Sequence, residues 1–345
     1  MNYDFVVYLG RFQPFHDGHL NVLRQALKRG QNVIVGIGSA NRSRSTENPW
    51  TYEERCDMIR SSLNKDESYK THFIPVNDYP YNDTAWTVHV NSIVNELVKE
   101  LGYDKPVIGL MGFKKDKSSR YLNFFPNWTF LNVGEQYGVF SATYIRDQYF
   151  DRRISISEFI PDSVKAFLKG FALTPEYKWV LDEFEYLREY RIEYPSGGPF
   201  FTTDAVVIQM GHILLVTRKE APFKGKLAIP GGFIHLNEWI ADARIRELKE
   251  ETKLADTQGE IPPAKIQSFI QKEKVYDDPK RSQRGRVITF AGYYKLPDAK
   301  ELYKVVGSDD AEKADWYSMA ELSADMFMED HYFIIQDMLG LSEGI

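Results

Sequence analysis

The pattern of the chain points to two domains in series, a doubly wound α/β unit built on a parallel sheet and then an α+β unit. Three observations carry that expectation. The chain has 345 residues, more than one domain usually takes at roughly 150 residues each. Up to residue 133, short apolar runs alternate with helical periodicity, the pattern of βαβ units. The run Tyr194-Pro195-Ser196-Gly197-Gly198-Pro199 then breaks all periodicity, and beyond it strand-like runs dominate. The expected limits are 1–187 for the first domain, 188–199 for a linker and 200–345 for the second domain.

In the first domain, strand-length apolar runs fall at 5–9, 33–37, 73–76, 107–111 and 128–133. Helical patterns fill 20–27, 52–63 and 87–101, and a helical stretch continues to about 187. Strands joined in this way form a parallel sheet with right-handed crossovers. Its ligands bind at the carboxyl ends of the strands, where the first loop is 10–19. In the second domain the expected strands are 200–209, 212–218, 265–272 and 287–294, with one strong helix at 237–252 and a terminal helix near 331–339.

Composition narrows the function classes. Hydrophobic residues make up 43% and charged residues 27%, and no apolar run approaches the 18 or so residues that span a bilayer. No membrane partner is therefore expected. Met1-Asn2-Tyr3-Asp4 carries no basic or cleavable apolar segment, and a single cysteine, Cys56, excludes an internal disulfide framework, so a cytoplasmic setting is expected. Cys56 falls in one apolar helical pattern with Ile59 and Leu63 and reads as core packing. A net charge of −6 argues against a general nucleic-acid binder. The oligomeric state is left open, a homo-oligomer included.

The loop Gly10-Arg11-Phe12-Gln13-Pro14-Phe15-His16-Asp17-Gly18-His19 runs from a strand into a helix N-terminus, where free N–H groups and the helix dipole favour a phosphate. His16 and His19, three apart across one turn, can address one phosphate together. The plain alternatives are a polar turn or a metal pair. The stretch resembles the HxGH superfamily of nucleotidyltransferases, and its wording is close to that of nicotinamide mononucleotide (NMN) adenylyltransferases of the archaeal type. That resemblance implies a Rossmann-like fold and direct attack of the NMN phosphate on the α-phosphorus of ATP, giving NAD and pyrophosphate. It implies catalytic roles for Arg11, His16, His19 and Arg146. ATP would be held by Gly10, Phe12, His16, His19, Ser141, Thr143 and Arg146, the last three in a stretch that resembles the family's SxTxxR element. NMN would be held by Ser39, Asn82 and Trp86. The basic run 114–120 reads either as a solvated loop or as a second phosphate clamp.

The second signature is a spacing. Gly232, five residues, Glu238, seven residues, then Arg246, Glu247, Leu248, Glu250, Glu251 and Leu254 reproduce the Nudix pattern except at Lys253, where the pattern has glycine. At 3.6 residues per turn Glu247, Glu250 and Glu251 share one helical face, and like charges so placed repel unless a cation holds them. Hard divalent cations such as Mg²⁺ or Mn²⁺ prefer such oxygen ligands. By resemblance to the Nudix family the ligands are Glu247, Glu250, Glu251 and the Gly231 carbonyl, with Gly232, Glu238 and Arg246 structural. Segments 276–286, 309–312 and 329–331 resemble the branch that acts on ADP-ribose. The basic run 280–286 reads as a substrate-phosphate or solvated loop rather than a nucleic-acid patch.

Together the halves resemble the bifunctional NMN adenylyltransferase/Nudix hydrolase family. That resemblance implies small-molecule substrates (ATP, NMN, NAD, ADP-ribose), with AMP and ribose 5-phosphate as products of the second site. Two alternatives remain open: the Nudix half as a non-catalytic nucleotide sensor, or a different phosphorylated acceptor at the first site. A class I aminoacyl-tRNA synthetase is set aside because its Lys-Met-Ser-Lys-Ser partner motif is missing.

Overall fold

The computed structural model describes residues 3–112, 123–133, 141–151 and 159–341. The chain divides into two compact units, Met1–Leu181 and Asp182–Gly344.

The first unit runs β1 (Tyr3–Gly10), α1 (Asp17–Arg29), β2 (Gly30–Ile37), α2 (Tyr52–Arg60), α3 (Lys65–Tyr69), β3 (Thr71–Pro75), α4 (Asp83–Glu100), β4 (Ile108–Gly112), β5 (Thr129–Asn132), α5 (Ala142–Asp151) and α6 (Asp162–Phe171). Its sheet has the order β3-β2-β1-β4-β5, and every neighbouring pair is parallel. The near-continuous apolar sequence of β1 suits burial on both faces, and Phe5, Val7 and Leu9 pack with Val90, Val94 and Val98 of α4. The chain steps outward from β1 through β2 to β3, then crosses to β4 on the other side of β1. That reversal opens a crevice at the carboxyl end of β1, where the loop 11–16 emerges.

Helix α7 (Pro175–Glu193) carries the chain from one unit into the other. Residues 188–193, read from the sequence as linker, are its final turns, and the breakers 194–199 follow it. The apolar stripe of α7, Tyr177, Val180, Leu181 and Leu187, ends at Leu187, and residues 188–193 add no buried side chain to extend the periodicity.

The second unit comprises β6 (Phe200–Gln209), β7 (His212–Arg218), β8 (Leu227–Ala228), β9 (Gly231–Phe233), α8 (Ile240–Thr252), β10 (Ala255–Asp256), β11 (Gly259–Glu260), α9 (Pro263–Gln267), β12 (Ile270–Tyr276), β13 (Val287–Lys295), β14 (Ala311–Ser318) and α10 (His331–Met338). Its main sheet has the order β12-β13-β6-β7-β14, with β8 on β7 and β9 on β6. The β13–β6 pair is parallel and the remaining pairs are antiparallel. The strand expected at 265–272 is displaced: Pro263 at the first helical position starts α9, and the strand begins at Ile270. β14 has no sequence forerunner, because Ala311-Glu312-Lys313-Ala314-Asp315 lacks strand-forming residues. It forms by pairing along β7 at the sheet edge.

Candidate active sites

In the first unit, His16 caps α1. Its Nδ1 accepts the His19 backbone N–H at 3.4 Å, which places the proton of the neutral ring on Nε2. The two imidazoles stack with centroids 3.6 Å apart. Burial holds His16 down at about 4, while burial and then the charge of His16 hold His19 well below the ordinary histidine range. Both rings are therefore neutral near pH 7. Phe12 and Phe15 wall His19, with centroids 5.0 and 5.8 Å away, and His19 Nδ1 is buried without a hydrogen-bond partner. A Cβ at Gly18 would sit 3.0 Å from the His16 ring, tight enough that the ring would have to shift.

The loop is shaped by two buried arginines. Arg146, on α5, donates from Nη1 to the Gln13 carbonyl at 2.6 Å and from Nη2 to Thr143 Oγ1 at 3.2 Å. This brings the start of α5 against the first loop, with Ser141 Oγ accepting the Tyr144 N–H at 3.2 Å. Burial lowers Arg146 to about 10. Arg55, only 1% exposed, was missed from the sequence as a site residue. It donates to the carbonyls of Arg11 (2.8 Å), Gly38 (2.6 Å), Ser39 (3.4 Å) and Thr51 (3.0 Å). A trans peptide sets its N–H opposite its C=O, so the Phe12 and Ser39 N–H groups turn away from Arg55. Both residues hold left-handed backbone, at φ 54° and 52°. Gly38 N–H closes the arrangement by donating to the Gly10 carbonyl at 2.8 Å.

Among the other expected residues, Gly10 ends β1, where a Cβ would lie 2.8 Å from the Phe12 ring. Arg11 is half exposed and 3.8 Å from Glu47. Asn82 caps α4 by accepting the Ala85 N–H at 2.9 Å. Trp86 packs edge-on to Phe124 and Phe125 against the core. Both follow the carboxyl end of β3, on the sheet edge that also carries the loop after β1. The basic run 114–120 lies outside the described residues.

In the second unit the spaced residues converge on Arg246. It donates to both oxygens of Glu238 (2.7 and 3.0 Å), to Glu247 (2.8 Å), to Glu250 (3.0 Å) and to the Phe233 carbonyl (3.1 Å). The Arg246 guanidinium holds the Glu238 carboxyl down at about 2. Gly232 admits this packing, since a Cβ would meet the Glu247 carboxylate at 2.5 Å. Gly231 donates its N–H to Glu251 Oε2 at 3.0 Å, and its own Cβ would strike the Thr203 carbonyl at 2.2 Å. Burial pushes Glu251 up to about 8, against the Gly231 hydrogen bond, which lowers it. Glu247 is also raised by burial. Lys253 takes the left-handed position at φ 45°, ψ 36° and donates its N–H to the Lys249 carbonyl.

Gly231, Gly232, Arg246, Glu247, Glu250 and Glu251 line a cavity of about 500 Å³. Arg281, Arg284, Asp309, Asp310, Glu329 and His331, from the segments outside the spacing, border the same cavity. Arg281 and Asp330 form a buried pair with two 3.0 Å contacts. Lys280 and Arg286 are not among the lining residues. Arg244, which the sequence reading passed over, crosses from α8 to the sheet and donates to Thr203 (3.0 Å) and Glu273 (2.8 Å). Among the described residues no three acidic, histidine or cysteine side chains converge as a metal cage; Arg246 draws Glu247 and Glu250, and Glu251 turns to Gly231. The donor chemistry nonetheless fits a hard divalent cation, which would remove the cost of ionising the buried Glu251. No helix among the described residues is long and apolar enough to cross a membrane.

A cytidylyltransferase-like family model matches residues 7–148 and a NUDIX domain model matches residues 199–338. The chain is 36% identical over 176 residues to a nicotinamide/nicotinic acid mononucleotide adenylyltransferase of Acinetobacter baylyi, covering 51% of this chain and 90% of that protein. It is 33% identical over 158 residues to an ADP-ribose pyrophosphatase of Methanocaldococcus jannaschii, covering 46% and 82%. A solved bifunctional NMN adenylyltransferase/ADP-ribose pyrophosphatase of Francisella tularensis, complexed with AMP and a manganese ion, superposes with a TM-score of 0.89 at 32% identity, covering 99% of both chains. With both motifs assembled and both halves matched along their length, the chain belongs to the bifunctional NMN adenylyltransferase/ADP-ribose pyrophosphatase family.

Proposed function

We propose that the first unit transfers AMP from ATP to NMN, giving NAD and pyrophosphate, and that the second hydrolyses ADP-ribose to AMP and ribose 5-phosphate with Mg²⁺ or Mn²⁺. The observation that carries the reading is full-length correspondence to a bifunctional relative, with each half holding the side chains its reaction needs.

In the first reaction a phosphate oxygen of NMN forms a bond to the α-phosphorus of ATP, and the bond to the bridging oxygen breaks, pyrophosphate leaving with the electron pair. Positioning and charge stabilisation suffice. The neutral His16 and His19 donate hydrogen bonds that strengthen as charge builds on the leaving oxygens. Arg11, half exposed, supplies a mobile positive charge. Arg146 fixes the loop through Gln13 and meets the ATP phosphates with its remaining N–H groups, beside Gly10, Phe12, Ser141 and Thr143. Ser39, Asn82 and Trp86 hold NMN.

In the second reaction the Gly231 carbonyl, Glu247, Glu250 and Glu251 would hold the divalent ion. When bound, that ion polarises the diphosphate and lowers the pKa of the attacking water. Arg246 orients Glu247 and Glu250 and is itself fixed by Glu238. Gly232 keeps Glu247 close to β9.

The test is reciprocal. His19→Ala should end pyrophosphate release from ATP plus NMN and leave AMP release from ADP-ribose intact, and Glu251→Gln should do the converse. Unchanged turnover in either variant at its own site rejects that assignment.

A further inference from the structure

The sheet of the first unit ends at β3, and the segment just beyond that strand leads through Asn77, Asp78 and Tyr79 into α4. Val76 faces β2: its N–H donates to the Ile37 carbonyl at 3.0 Å and its carbonyl accepts the Ala40 N–H at 3.1 Å. Backbone groups alternate in direction along an extended chain, so the Pro75 carbonyl and the Asn77 N–H point away from β2, along the sheet edge. His89 of α4 fills that edge. Its Nε2 accepts the Asn77 N–H at 3.2 Å, which leaves the proton of the neutral ring on Nδ1, and the ring also donates to the Pro75 carbonyl. One imidazole thus offers an acceptor and a donor to two residues of one edge, as a neighbouring strand would. The ring is half-buried, with its centroid 5.5 Å from that of Tyr79. Burial holds it below the ordinary histidine range, against the Pro75 hydrogen bond and the charge of Glu96, which raise it.

The segment so held joins the residues assigned to NMN. Trp86 and His89 are three positions apart on α4 and so share one helical face, and Asn82 caps the same helix. The Asn82 N–H donates to the Tyr79 carbonyl at 3.0 Å. On the other side, Asp78 ties the segment to the loop that carries Ser39: its N–H donates to Asn41 Oδ1 at 2.9 Å, and its carboxylate accepts Arg42 Nε at 3.0 Å. Fixing the segment therefore fixes the spacing of Ser39 against Asn82 and Trp86. His16 and Arg146 are held by other contacts, within the first loop and α5, so the brace bears on one substrate and not on the other. We propose that His89 is a positioning residue of the NMN site, acting through Asn77 and Pro75 rather than on the substrate itself.

This inference rests on the proposed use of NMN by the first unit, and the experiment separates the two. Full-length wild type, His89→Phe and His89→Gln are assayed for adenylyl transfer with NMN and ATP varied in turn, and ADP-ribose hydrolysis checks that the chain is intact. Phenylalanine keeps the ring and leaves the Asn77 N–H unpaired, whereas the glutamine amide both accepts and donates. An unpaired backbone N–H shifts such an equilibrium by about tenfold. His89→Phe should therefore raise the KM for NMN about tenfold and leave the KM for ATP within about twofold, and His89→Gln should recover most of the loss. An unchanged KM for NMN, equal rises for both substrates, or a glutamine variant as poor as the phenylalanine one overturns the inference. Should His89→Phe fail to fold, nitrogen NMR of the wild type decides. A neutral His89 ring protonated on Nδ1, with an Nε2 signal that moves when NMN is added, supports the brace. A ring protonated on Nε2, or one unmoved by NMN, overturns it. A wild type that adenylylates another phosphorylated acceptor and not NMN would reject the NMN reading, and the same KM split on that acceptor would leave the role of His89 standing.

Discussion

Replacing Glu251 with glutamine should stabilise the metal-free chain, and by more at pH 7 than at pH 5. Glu251 is 6% exposed, and burial raises its carboxyl from 4.5 to about 8. Between those values the unfolded chain carries an ionised glutamate while the folded chain keeps the proton, so this group's effect on stability becomes more unfavourable as pH rises. Each pKa unit is worth about 1.36 kcal/mol. The ionisable group therefore opposes folding by about 3 kcal/mol at pH 7 and by under about 1 kcal/mol at pH 5. Glutamine keeps the shape and can accept the Gly231 N–H at either pH, so the part that changes with pH isolates the charge. Urea unfolding in the presence of a chelator, following the transition of the second unit separately, should show the variant's advantage growing by about 2.5 kcal/mol between pH 5 and pH 7. Saturating Mg²⁺ should then favour the wild type, since only the carboxylate gains from the cation. An advantage of equal size at both pH values would refute the reasoning.

Three further outcomes follow from the geometry. Arg55→Met should leave buried carbonyls of both loops unpaired, destabilising the first unit by on the order of 3–5 kcal/mol and cutting adenylyl transfer by on the order of 100-fold; paired assays should find ADP-ribose hydrolysis unaffected. Lys253→Gly should raise the stability of the second unit by about 1 kcal/mol by relieving the left-handed backbone, read as a shift in the urea midpoint at constant hydrolysis rate. His16 and His19, with pKa values lowered by burial, should show no ring titration between pH 6 and 8 by NMR. The first unit should lose stability as pH falls from 6.5 towards 4, where the unfolded histidines protonate first; a ring titrating near 6.5 contradicts this.

The parts of each site that could be read from the sequence are those compressed into one loop and the helix it opens. His16 and His19 sit three positions apart because one helical turn must place both rings together, and Glu247, Glu250 and Glu251 share a face for the same reason. Distance along the chain hides the rest. Arg55 reaches the Arg11 carbonyl across 44 positions and the Gly38 carbonyl across 17, and a carbonyl acceptor leaves no side-chain pattern to find. Its local sign was its place in the run Glu53-Glu54-Arg55, beside the capping box that starts α2. Tyr186, which lines the cavity of the second unit, was hidden differently. It belongs to a helix that reads as the end of the first domain, and the buried Glu183, which accepts the Phe223 N–H, ties that helix to the 219–225 loop.

The two sites nonetheless share one device, a buried or half-buried arginine that organises groups which would otherwise repel. Arg246 gathers three carboxylates and Arg55 gathers four carbonyls. A guanidinium offers five N–H donors in one plane, so a single residue sets several partners at once, whereas lysine's point charge fixes no such fork. The consequences differ in sign. Collecting carbonyls on one side of the first loop turns peptide N–H groups to the other, which favours an anion. Collecting Glu247 and Glu250 on one side of α8 sets two carboxylates along the cavity wall, which favours a cation. Lysine in place of either arginine should therefore preserve the charge and lose the site. Arg246→Lys should weaken Mg²⁺ binding by on the order of 10- to 100-fold, as loss of a ligand-orienting partner does, measured by Mg²⁺ titration of ADP-ribose hydrolysis. Hydrolysis that saturates at the wild-type Mg²⁺ concentration would show that positive charge alone, without the fork, orients the glutamates.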